Sequence, residues 1–118
     1  MRQYDSGLRG EAQAEAYLTG LGYVTAARRY RGGDGEIDLI LRDGETLVFV
    51  EVKARPAGQA GEGLAAVTPA KQRRMTHAAL QYLTEREAFG CPVRFDVVEI
   101  TAAGLRHVPD AFRPREGW

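Results

Sequence analysis

The residues best suited to chemistry in this chain are Asp38, Glu51 and Lys53. They lie on two apolar runs, Ile37-Asp-Leu-Ile-Leu and Thr46-Leu-Val-Phe-Val-Glu-Val-Lys, joined by Asp43-Gly44. An Asp-Gly pair between β-rich runs is a strong hairpin signal. With Asp43-Gly44 as a two-residue turn, Arg42 faces Glu45, Asp38 faces Phe49 and Glu36 faces Glu51. Side chains alternate along a strand, so Glu36, Asp38, Leu47, Phe49, Glu51 and Lys53 share one face. Ile37, Leu39, Leu41, Val48, Val50 and Val52 share the other. Asp38 and Glu51 are then diagonal neighbours, about 7 Å apart at the backbone. A slip of one residue would break the arrangement.

Grouped carboxylates repel across a strand pair and raise one another's pKa. A divalent cation removes that penalty. With a single cysteine, Cys91, a thiolate zinc site is excluded, and hard oxygen ligands favour Mg²⁺ or Mn²⁺. Such an ion can supply an activated water and stabilise charge on a phosphate oxygen. Lys53, on the face of Glu51, can hold that water or stabilise the developing negative charge. A bare D…ExK also fits an ordinary charged surface hairpin. Here the acids interrupt otherwise apolar strands beside a strong turn, which favours the site.

The elements that must position these residues follow from periodicity. Residues 6 to 21 read as a helix, capped by Ser6, with Leu8, Ala12, Ala16, Leu18 and Leu21 at roughly helical spacing. Tyr23 to Tyr30 reads as a strand and Arg31-Gly-Gly-Asp-Gly as a turn. Residues 54 to 67 are rich in Gly and Ala and have no clear period, which marks a functional or mobile segment. Thr68-Pro69 opens a long helix to about Phe89. Arg94 to Thr101 alternates as a strand, with Phe95, Val97 and Glu99 on one side and Val98 and Ile100 on the other. Leu105 to Val108 adds a short edge strand. The order α-β-β-β-α-β predicts an α/β fold: a mixed central sheet flanked by helices, in one domain over residues 1–118.

Composition sets the outer bounds. With 118 residues, 44% hydrophobic and 27% charged, the chain suits one soluble domain with a single core. Neither an apolar run of membrane-spanning length nor a secretion signal is evident, so the expected compartment is the cytoplasm. A formal net charge of zero argues against a protein that coats nucleic acid without specificity. Locally the balance changes: from Lys53 to Arg74 there are five basic residues (Lys53, Arg55, Lys71, Arg73, Arg74) against Glu62, and Arg28, Arg29 and Arg31 form a second cluster. Each cluster also fits a solvated face. His77 and His107 stand apart from any metal-ligand spacing. The tyrosines at 17, 23, 30 and 82 read as core or rim aromatics.

The strings GEIDLI (Gly35 to Ile40) and FVEVKAR (Phe49 to Arg55) resemble the YraN-like family of small bacterial proteins. That family is placed in the restriction-endonuclease-like, PD-(D/E)XK superfamily and is similar to archaeal Holliday-junction resolvases. GEAQAEAYLTGLGY (Gly10 to Tyr23), VTPAKQRRM (Val67 to Met75), RFDVVEI (Arg94 to Ile100) and HVPDAF (His107 to Phe112) extend the resemblance over nearly the whole chain.

The resemblance implies roles for residues at matching positions. Asp38 and Glu51 hold the metal and Lys53 is the catalytic lysine. Glu11 is a further metal-binding acid on the first helix, although with Glu15 it also fits a solvated helix face. Lys71, Arg74 and Arg55 meet the phosphates of nucleic acid, and Gln72 either supports the site or is a surface polar residue. Glu36 belongs to the motif in a structural role. The implied activity is a Mg²⁺- or Mn²⁺-dependent endodeoxyribonuclease acting on DNA, branched DNA included, and working as a homodimer. The rival is a non-catalytic nucleic-acid-binding module of a repair or recombination complex that keeps the nuclease fold.

Overall fold

The alternating runs between residues 24 and 54 form three consecutive antiparallel strands: β1 (Val24–Gly32), β2 (Gly35–Asp43) and β3 (Thr46–Ala54). The computed structural model describes residues 3–55 and 57–114, with side chains from residue 9 onward. In it, β4 (Val93–Thr101) pairs parallel to β3, and β5 (Gly104–Phe112) pairs antiparallel to β4. The strand order β1-β2-β3-β4-β5 makes one mixed sheet. A parallel step needs a crossover, supplied by α2 (Glu62–Ala65) and α3 (Pro69–Glu85), while α1 (Gln3–Gly20) precedes the sheet. This is the α/β architecture read from the sequence.

Each face of the sheet carries its own apolar layer. Ile40, Leu47, Phe49, Phe95 and Val97 pack with Met75, Ala79, Tyr82 and Leu83 of α3. Leu39, Leu41, Val48, Val50 and Val98 pack with Ala14 and Leu18 of α1. Thr68 caps α3 as expected, its hydroxyl accepting from the Lys71 N–H at 3.2 Å, with Pro69 following.

Several local expectations need correction. The helix α1 runs through position 6, so Ser6 is not its N-cap; the side chains of Ser6 and Leu8 lie outside the described ones. Its buried face is Gly10, Ala14 and Leu18, whereas Ala12, Ala16 and Leu21 are exposed. The small residues decide this: a Cβ on Gly10 would stand 2.8 Å from the Ala54 Cβ, so the helix lies too close to β3 for bulk there. The helix α3 ends at Glu85 rather than near Phe89, and Glu87 then takes a left-handed φ of 51°. The aperiodic segment contains the short helix α2, and β5 runs well beyond Val108.

The hairpin register also differs. Asp43 pairs with Thr46 and Ile40 with Phe49, so the two-residue loop is Gly44-Glu45, with Gly44 as its first residue at φ 61°. The shift is two residues, an even number, so the side chains of β3 keep their expected faces. In β2 the expectation fails at Ile37, which joins the α3 layer with Ile40 instead of the α1 layer with Leu39. Its pairing partner Tyr30 joins the same layer. Between the pairs Arg28↔Leu39 and Tyr30↔Ile37, Arg29 holds φ 49°, a left-handed conformation within β1.

Candidate active site

The strands β2 and β3 pair as far as Leu39↔Val50 and then part, and Asp38 stands at that fork. Its Oδ2 accepts from the Val52 N–H at 2.8 Å, a donor that a continuing ladder would have spent on the backbone of β2. The carboxylate thereby satisfies a group that the fork would otherwise orphan. The Glu51 carboxylate lies close enough to act on Asp38 directly. Burial first, then the charge and contact of Glu51, push the Asp38 pKa up to about 8, with the Val52 N–H opposing and Glu11 adding to the rise.

Glu51 is 3% exposed, and its Oε2 collects two ammonium groups. The Lys71 Nζ lies 2.9 Å away and the Lys53 Nζ 3.3 Å away. Lys53 arrives from the same face of β3, and Lys71 from the first turns of α3. The result is an acidic pair, Glu51 buried and Asp38 half-buried, with two lysines at one edge. The structure therefore brings Asp38, Glu51, Lys53 and Lys71 together, with Lys71 turned onto a carboxylate.

Glu11 lies beside this centre without closing it. Its carboxylate accepts from Arg29 Nε at 2.9 Å and Arg29 Nη2 at 3.2 Å. Burial raises its pKa, the Arg29 hydrogen bond and charge oppose the rise, and Glu36 and Glu51 add to it. Its neighbour Glu15 binds Arg28 and the Thr25 hydroxyl. Among the described residues, no group of three His, Cys, Asp or Glu is arranged to hold a metal. The carboxylates that converge are Asp38 and Glu51.

The surroundings explain two glycines. A Cβ on Gly35 would stand 2.2 Å from the Arg74 carbonyl oxygen, so the β1–β2 turn rests directly on the backbone of α3. A Cβ on Gly63 would stand 2.9 Å from the Lys53 Cβ and 3.0 Å from the Glu99 Cγ, so α2 lies directly on the lysine. Sequence reasoning put Glu99 on its correct face but gave it no role. It is 1% exposed, and its carboxylate accepts from the Gly61 N–H at 2.8 and 2.9 Å and from the Gly63 N–H at 2.8 Å. Those backbone donors, Gly61 first, hold its pKa below the usual carboxylate range against the effect of burial. A charged residue within an apolar strand was the available signal.

A second buried carboxylate, Asp96, also went unread. It accepts from Arg94, from His107 Nε2 at 2.7 Å and from the Asp110 N–H at 3.0 Å. Arg94 continues the network to the Tyr23 hydroxyl at 2.7 Å. His107 thus has a hydrogen-bonding role, apart from the acidic pair, and ties β5 to β4. His77 is exposed and meets Asp34 at 2.9 Å. Gln72 donates to the Val67 carbonyl at 3.0 Å, joining α3 to the segment before it. Arg55 and Arg74 are exposed.

Residues 10–100 match the family described as "Uncharacterised protein family UPF0102". The chain belongs to this family. Its UPF0102 relatives include a protein of Chlorobium chlorochromatii, 46% identical over 116 residues, covering 90% of this chain and 89% of the relative. One from Geotalea uraniireducens is 44% identical over 111 residues, covering 90% and 87%. Another, from Yersinia enterocolitica, is 44% identical over 114 residues, covering 95% and 97%. The UPF0102 match spans α1 from Gly10 through β4, and so takes in the acidic pair, both lysines and Glu99. No helix among the described residues is long and apolar enough to cross a membrane.

Proposed function

We propose that this chain is a metal-dependent endodeoxyribonuclease that hydrolyses phosphodiester bonds, with Asp38 and Glu51 as the protein ligands of a Mg²⁺ or Mn²⁺ ion. The observation that carries the reading is the convergence of Asp38 and the buried Glu51 at the fork, where burial and the Glu51 charge push the Asp38 pKa up to about 8 and a cation would relieve that cost. Two hard oxygen donors in that state suit a hard cation that keeps most of its waters. When bound, the ion supplies Lewis acidity toward a phosphate oxygen and lowers the pKa of a coordinated water.

The chain's own groups have separable roles. Asp38 and Glu51 would hold the cation, and the contact of Asp38 Oδ2 to the Val52 N–H keeps that carboxylate aimed into the fork. Glu51 anchors the Lys53 ammonium at 3.3 Å, where that charge stabilises the oxyanion developing at phosphorus. Arg55 and Arg74 offer exposed cations for neighbouring phosphates, and Lys71 changes partner from Glu51 to the substrate. A two-fold dimer would present two such centres to the two strands of duplex or branched DNA; sedimentation with and without DNA reads that state.

The deciding assay incubates linear, single-stranded, flapped and four-way DNA with Mn²⁺ or Mg²⁺, beside Asp38→Ala and Lys53→Ala. Cleavage by the wild type that both substitutions abolish supports the reading. The pairing of Glu11 with Arg29, which leaves two converging carboxylates, favours the rival binding module. DNA binding with no cleavage under any of these conditions would select that rival.

A further inference from the structure

Beside the acidic centre, between the β1–β2 turn and the first half of α3, lies an open cavity of about 370 Å³. Lys71 belongs to both places: it lines the cavity and lies 2.9 Å from Glu51, so the two spaces share a wall. The other cations on the lining are Arg31 and Arg74, and the acids are Asp34 and Glu36.

The charges are already partly matched. Glu36 has Arg31 at 3.6 Å and Asp34 has His77 at 2.9 Å. The Arg74 side chain makes no hydrogen bond or ion pair with a described residue, although its charge reaches Asp34, whose pKa is lowered chiefly by the His77 hydrogen bond. Its place is fixed all the same, because the Gly35 backbone packs against the Arg74 carbonyl. A guanidinium with five donors and no carboxylate partner among the described residues, on a pinned helical turn, is suited to an oxyanion. The lining contains no aromatic ring, which removes the stacking surface that an unpaired base would require.

We propose that this cavity is a second phosphate subsite, which takes the phosphodiester next to the one at the acidic centre, with Arg74 and Arg31 as its ligands. The proposal rests on the nuclease reading for its place along the strand, and it adds a named contact one phosphate away from the acidic centre. The chain acts on a polynucleotide spanning both subsites, and a lone phosphoester or mononucleotide fills only one.

The test is fluorescence anisotropy of a short fluorescein-labelled DNA single strand, titrated with salt in EDTA so that binding is read without cleavage. Both arginines are exposed, and circular dichroism verifies that Arg74→Ala and Arg31→Ala fold. Each is expected to weaken binding roughly tenfold, as losing a charge-assisted hydrogen bond does. Each also makes the slope of log affinity against log salt shallower by about 0.7. Arg42→Ala, at the far end of β2, changes neither. Wild-type affinity and slope in both cavity variants would overturn the subsite, as would a wild-type chain that shows no salt-dependent binding. Intact arginine-dependent binding with no cleavage in Mn²⁺ would sink the nuclease reading alone and leave the subsite standing.

Discussion

Removing the Asp38 charge should make the metal-free protein more stable at alkaline pH. The carboxyl pKa rises from 3.8 to about 8 in the folded chain, through burial and the neighbouring Glu51. A raised folded-state pKa contributes stability that is fully present below the unfolded value and is lost as pH climbs through the folded one. At about 1.4 kcal/mol per tenfold step in proton affinity, the whole rise amounts to roughly 6 kcal/mol. Coulomb repulsion gives an independent scale: two charges about 4 Å apart at an effective dielectric near 20 repel by about 4 kcal/mol. Only part of the loss falls in an accessible window. Between pH 6 and pH 9 the wild type should lose about 3 kcal/mol, a drop of roughly 1–2 M in urea midpoint. Asp38→Asn keeps an oxygen for the Val52 N–H and a donor for Glu51, so its stability should stay level within about 1 kcal/mol over that window. Urea titrations in EDTA across this range provide the measurement, and Mn²⁺ added at pH 8 should restore most of the wild-type loss. Equal pH slopes in wild type and Asp38→Asn would refute the reasoning.

The raised Asp38 pKa predicts that Mg²⁺ or Mn²⁺ affinity rises close to tenfold per pH unit below pH 8, since binding must release the Asp38 proton; a flat calorimetric titration would count against this. Lys71→Met should tighten ion binding, because the ammonium on Glu51 occupies a place where a cation would sit, and weaker binding would contradict that geometry. Lys53→Met should leave the ion affinity in place while cleavage falls about a hundredfold or more; cleavage at the wild-type rate would remove Lys53 from the mechanism. Glu99→Gln should cost roughly 1.5–3 kcal/mol for its weakened bonds to backbone donors and speed hydrogen exchange at Gly61 and Gly63. The charged form of Glu99 contributes above the ordinary carboxylate range and is lost in acid, so Glu99→Gln should also soften acid unfolding. Unchanged exchange at both glycines would show that Glu99 does not hold α2.

The sequence by itself determined the kind of fold and the composition of the acidic centre. Binary patterning is local, so Thr46 to Lys53 could be read as a strand with Glu51 and Lys53 on one face, whatever it pairs with. The Asp-Gly pair located the hairpin and Thr68-Pro69 the start of α3, because turn and cap preferences belong to a few adjacent residues. The wrong loop within that hairpin did no harm to β3, since an even shift preserves faces.

Tertiary structure alone decided how the site is held and what charges meet in it. Nothing in the string GEIDLI says that β2 leaves β3 after Leu39 and that Asp38 takes over the Val52 N–H. The ion pair of Lys71 with Glu51 could not be read from sequence, because their separation is set by the crossover from β3 through α3, which no local pattern encodes. Glu99 and Asp96 went unread for the same reason: their partners are the Gly61 and Gly63 amides for one, and Arg94, His107 and the Asp110 amide for the other. A buried charge is stabilised by groups remote in the chain, so sequence can flag the residue, and only the fold supplies the partners that make its burial possible.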